Sequence, residues 1–286
     1  MRHSPRNPSR LDAQGIVYKY AYNMTTPLGA FIIGLASVMA GILDLIWGEF
    51  EPAHQPIQAW GDHIPGQTIL AYIAAACLIV GGVALLWRRT QRVGAVVLAI
   101  VYGAFTVFWL PRLFTAPTIL GYHPHVYFGV LAGLGTQLIV VAALVGTVPV
   151  NRWIFGLSSI VFGLAHVTNI QDNATLVPKW LPLGGNFWVV LTGVAFILAG
   201  VAMITRVKDV LASQLLTLMF LVFSVLALAP LPIGSPHDHT AWGGNAYNLA
   251  AIGATWMFSR QLTLAPRRAA AARSESVLHP QADSRR

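Results

Sequence analysis

The chain has 286 residues, of which 56% are hydrophobic and only 10% charged, and its formal net charge is +8. Soluble domains carry about 25% charged residues, so a chain of this composition, with a mean hydropathy of +0.63, has too little polar surface to cover itself in water. The positive charge does not point to nucleic acid, because the basic residues sit at the ends of apolar runs and not on one face of a soluble domain; a single cysteine, Cys77, excludes an internal disulfide, a CxxC pair and a cysteine metal cluster.

Residues 1–26 open on the basic stretch MRHSPRNPSR and are expected to form a cytoplasmic segment; the apolar run that follows starts too late and is too long for a cleaved signal. That run, 27–47, is read as the first membrane helix and carries one carboxylate, Asp44. A polar loop with Glu49, Glu51, His54, Trp60, Asp62 and His63 leads to helices over 68–87 and 93–110. His123-Pro-His125 opens a fourth run, 125–145, which contains Gln137. The second half repeats the sequence of events: 153–168 with His166, a loop with Trp180, then 187–204, 210–229, His237-Asp-His239, and 241–259 with Asn245 and Asn248. Each run is long enough to cross a hydrocarbon core of about 30 Å, and Pro and Gly punctuate the gaps. Residues 261–286, rich in Ala, Arg and Ser, are expected to be a disordered cytoplasmic tail.

The expected fold is therefore all-α, a polytopic membrane protein of about eight spans. Sixteen of the 18 lysines and arginines fall on one side of this topology, leaving only Arg112 and Lys179 on the other. Basic residues are retained on the cytoplasmic side, which predicts that both termini are cytoplasmic. Gly34, Ser37, Gly41 and Asp44 have the spacing of Gly156, Ser159, Gly163 and His166, while His123, His125 and Gly129 have that of His237, His239 and Gly243. An even number of helices per repeat predicts two parallel four-helix units, 27–146 and 152–260, related by a pseudo-two-fold axis along the membrane normal.

The segments GLASVMAGILDLIWGEFEPAHQPIQAWGDHIPG, RWIFGLSSIVFGLAHVTNIQ, VPKWLPLGGNFW and SPHDHTAWGGNAYNLAAIGA resemble the DoxX-like family of bacterial membrane proteins, and the likeness runs from about Pro27 to Ser259. The resemblance implies a four-helix bundle as the unit, a place in the bacterial inner membrane and, as in some relatives, a membrane subunit of quinone-linked sulfur oxidation; the doubled length departs from a single-bundle member. It implies no catalytic residue at a particular position.

Seven of the nine histidines fall at or near the outward side, together with Glu49, Glu51, Asp62, Asp172, Asp238, Trp47, Trp60, Trp180 and Trp242. The pairs His123/His125 and His237/His239 have a metal- or haem-binding reading and a plainer one as polar caps of helix starts at a wet headgroup layer. Ionisable groups inside a bilayer usually face the bundle interior and find a partner. The repeat suggests His166 as that partner of Asp44, if the first helix of each unit meets its counterpart across the axis through the Gly/Ser stripes; a site wetted from outside is the alternative. Gln137, Asn245 and Asn248 could line a cavity or hydrogen-bond between helices. Trp60 and Trp180 could cover a ligand or belong to the interfacial aromatic belt. Three functions fit: a membrane redox subunit using a quinone, haem or a transition metal with a redox partner protein; a small-molecule or ion transporter; and an assembly factor without chemistry of its own. One polar pocket holding Asp44, His125, His166 and His239 is the expected site.

Overall fold

The computed structural model describes residues 27–51 and 66–278. Among these residues the fold is entirely helical: α1 (Pro27–Trp47), α2 (Gln67–Leu86), α3 (Gln91–Trp109), α4 (Arg112–Leu120), α5 (Pro124–Val145), α6 (Val148–Thr168), α7 (Ile170–Thr175), α8 (Gly184–Thr205), α9 (Asp209–Phe223), a π turn (Ser224–Leu228), α10 (Leu231–Gly234) and α11 (His239–Leu278). Seven stretches are long and apolar enough to cross a membrane: α1, α2, α3, α5, α6, α8 and the run Asp209–Gly234.

The eighth expected span, 241–259, lies inside α11, which is not among the seven. Its position explains its lower hydropathy. α11 packs against α1, α5, α6 and α9, and Asn248, Thr255, Ser259 and Gln261 are buried within it. A helix walled off by other helices has no need of an apolar surface on every side. The expected disordered tail also begins differently: α11 runs on through Pro266 to Leu278, as the strong helix-forming run Ala269 to Ala272 favours.

Packing follows the small residues. On α1 the buried positions Ala30, Ile33, Ser37, Ala40 and Asp44 recur at steps of three and four, one face of a helix, while Leu28, Phe31, Leu35, Ile42 and Ile46 are exposed. Gly34 of α1 and Gly82 of α2 each lie against the other's carbonyl, as do Gly156 of α6 and Gly200 of α8. A Cβ at any of the four would sit closer than van der Waals contact to backbone oxygen, so these crossings depend on glycine. The stripes thus join α1 to α2 and α6 to α8. They do not join α1 to α6, which corrects the arrangement that would bring Asp44 to His166.

At the end of the bundle that carries Arg152, this arginine pairs with Asp209, and Asn151 donates to Gln261 Oε1 at 2.8 Å. Those contacts tie α6 to α9 and to α11. At the other end the helices close over the polar groups described next.

Candidate functional site

Asp44 lies on the buried face of α1, less than one turn from its end, with no exposed surface. Gly48 ends the helix: its φ of 68° lies in the left-handed region, and its N–H closes on the Asp44 carbonyl at 2.9 Å. The chain then folds back over the helix end. Glu51 donates its backbone N–H to Asp44 Oδ1 at 2.7 Å, and Phe50 is buried edge-on against Phe105 of α3. The buried Glu51 side chain lies over Gly243 of α11, where a Cβ would overlap it.

The first residue of α11 completes the cluster. His239 is 5% exposed and stacks flat on Trp47, with ring centroids 4.7 Å apart and planes 5° from parallel. Its Nδ1 lies 3.5 Å from Glu49 Oε1 and its Nε2 lies 3.9 Å from Asp44 Oδ1. Glu49, unlike the others, is half exposed. Asp44 Oδ2 and His239 Nε2 are both buried and have no hydrogen-bond partner among the described residues.

Arg112, at the start of α4, brings positive charge to the same end. It is buried, with its guanidinium 3.7 Å above the centre of the Trp109 ring, and Trp109 is itself fixed by donating Nε1–H to the Val130 carbonyl at 2.8 Å. Burial pushes the Arg112 pKa down to about 10, while the Glu51 carboxylate pulls it up. The guanidinium therefore stays charged at neutral pH. Deeper in the bundle, Ser37 lies two turns before Asp44 on the same face and meets the Tyr102 hydroxyl at 3.3 Å. Gln137 of α5 is buried.

The structure brings together only part of the expected pocket. Asp44 meets His239 and not His166, because α1 is flanked by α2 and α11. His166 belongs to a separate aromatic cluster with Phe196 and Phe223, its Nδ1–H donated to the Phe162 carbonyl at 2.8 Å. His123 and His125 stack on each other at 5.4 Å, and no ring contact or hydrogen bond links either of them to Asp44 or His239. His237 and Trp180 are exposed. Trp60, with His54, Asp62 and His63, lies outside the described residues. Asn248 donates to the Phe220 carbonyl at 2.8 Å and to Ser224 Oγ at 2.6 Å, while Asn245 donates to the Leu228 carbonyl at 2.9 Å. Both asparagines thus make interhelical bonds that hold the π turn against α11. Among the described residues no group of three or more His, Cys, Asp or Glu side chains converges as metal ligands.

Trp47, Glu49, Glu51 and Arg112 went unassigned as site residues in the sequence. Glu51 stood among the loop acids with nothing to mark it as buried. Arg112 carried a readable signal: it is one of two basic residues placed against the charge bias of the chain, directly after Trp109-Leu-Pro. No family model, curated protein or solved structure matches this chain.

Proposed function

We propose that this is a bacterial inner-membrane protein of eight spans whose outward end carries a quinone-linked redox site built on Asp44 and His239. The observation that carries this reading is the pair of buried, unpartnered acceptor atoms, Asp44 Oδ2 and His239 Nε2, beside a half-exposed carboxylate. Intramembrane ionisable groups are costly and mark functional sites. The acceptor pair suits a quinone better than a metal, since among the described residues no group of three or more His, Cys, Asp or Glu side chains converges as metal ligands. A quinol hydroxyl could donate to either acceptor, and a bound quinone would supply two-electron redox chemistry coupled to protons. The chain's own part is to hold those hydroxyls, through Asp44 and His239, and to keep Trp47 against the imidazole.

The helix contacts support the reading of one four-helix unit used twice. α1 packs on α11 as α6 packs on α5, α1 on α2 as α6 on α8, and α5 meets α11 directly. That pattern is unchanged when each helix is exchanged for its counterpart in the other half. The DoxX-like resemblance points the same way. A transporter is the second reading, favoured by the π turn in the seventh span, because irregular backbone at membrane depth is tolerated where protein or a cavity covers it.

The test is the set of small molecules kept by gently purified protein. Co-purified quinone, displaced in parallel by Asp44→Asn and His239→Ala, is the expected result; substrate flux in liposomes without any quinone would favour transport instead. Orientation is tested separately. With Cys77 replaced by Ala, a cysteine at Ser235 should react with an impermeant reagent in intact cells, and one at Thr90 should react only after permeabilisation. The reverse pattern would overturn the assignment of cytoplasmic termini.

A further inference from the structure

Whatever reaction the site serves, Asp44 needs a route by which its proton equilibrates with water, since it has no exposed surface. One ring spans the gap. His239 presents Nδ1 to Glu49, whose side chain is 52% exposed, and Nε2 to Asp44, whose side chain is fully buried. The other ionisable groups around the cluster are Glu51 on the chain that folds back from α1, Asp238 on the turn before α11, Arg112 on α4, Tyr102 on α3 and Tyr247 on α11.

We infer that His239 is a proton relay between buried Asp44 and exposed Glu49, so that Asp44 exchanges one proton with the outer aqueous side through the two nitrogens of one imidazole.

In the starting tautomer Nδ1–H faces Glu49 and the Nε2 lone pair faces Asp44. Outward transfer moves the Asp44 carboxyl proton to Nε2 as Nδ1 gives its proton to the Glu49 carboxylate. The products are ionised Asp44, protonated Glu49 and the opposite, still neutral, tautomer. Inward transfer is the same sequence reversed: Glu49 protonates Nδ1 and Nε2 returns a proton to Asp44. The ring need not turn over, which suits its position flat against Trp47. Each exchange leaves His239 primed for the opposite one, so the relay carries a single proton in and out of one carboxylate. The distance of 3.9 Å from Nε2 to Asp44 closes to hydrogen-bond length with a shift of about 1 Å, or is spanned by one water.

This inference goes beyond the redox reading and stands for a transporter equally. Its test uses the full chain in lipid nanodiscs, with time-resolved infrared spectroscopy after a pH jump. The Asp44 signal is the carboxyl band that disappears in Asp44→Asn. His239→Ala should slow the appearance of that band by about a hundredfold, and added imidazole should restore much of the rate. A destabilised but folded protein would show no such rescue. Glu49→Gln, at an exposed position that leaves packing intact, should slow it by about tenfold. An unchanged rate in either variant, or no Asp44 band at any pH the protein tolerates, would overturn the relay.

Discussion

Asp44→Asn is expected to leave the protein folded while lowering quinone-dependent turnover of the reconstituted protein by about a hundredfold or more. The asparagine keeps an oxygen in the place of Oδ1, so the Glu51 N–H retains its acceptor and the chain still folds back over the end of α1. What is lost is the group that takes and gives a proton. Asp44→Leu serves as the contrast. It removes the acceptor as well, leaving a buried N–H unsatisfied at a cost of about 1–3 kcal/mol, and should lower stability along with turnover. The two are separated by comparing activity with resistance to unfolding in mild detergent. If Asp44→Asn proved as active as the parent, the carboxylate would have a structural role only.

Arg112→Ala should be the most destabilising single change at this end of the bundle, by about 3–5 kcal/mol. The guanidinium is buried, stacks on Trp109 and interacts electrostatically with buried Glu51. Removing it leaves a carboxylate in a low-dielectric surrounding with less compensation, and leaves the Trp109 face without its cation. The double change Arg112→Met with Glu51→Gln should recover part of the loss, because it removes both charges and fills the space with side chains of similar length. Thermal unfolding in detergent, followed by helical circular dichroism, measures both. Equal destabilisation by the single and the double variant would show that the charges do not depend on each other.

Seven spans were legible because the bilayer imposes length and apolarity on whatever crosses it, and α11, with its asparagines, stood out as a helix between the turn at Ser235 and the basic residue Arg260. Asp44 was legible for the same reason: a lone carboxylate in an apolar run asks for a partner. Its partner was not. The repeat pointed to His166, which occupies the matching position in the other half, whereas the packing of α1 between α2 and α11 delivers His239 from the start of the last helix. Periodicity says which face of a helix is buried and says nothing about which helix covers it. The HxH pattern likewise suggested two equivalent imidazoles, and the structure separates them, His239 buried against Trp47 and His237 exposed two residues earlier. Asn245 and Asn248 carried two readings, cavity lining and interhelical hydrogen bonding; in the structure they donate to the Leu228 and Phe220 carbonyls, and the π turn between those residues has no signature in sequence.

The place of α11 also bears on how the protein is made. A translocation channel admits helices into lipid according to their hydrophobicity, and α11 does not stand among the seven most apolar stretches. Its polar residues are accommodated by α1, α5 and α9, all of which precede it in the chain. The earlier helices thus form the receptor into which the last one docks. Asp44, synthesised near the beginning, receives its imidazole only when that docking is complete, so an unfinished chain in the membrane lacks the bridge between its buried acid and the water outside.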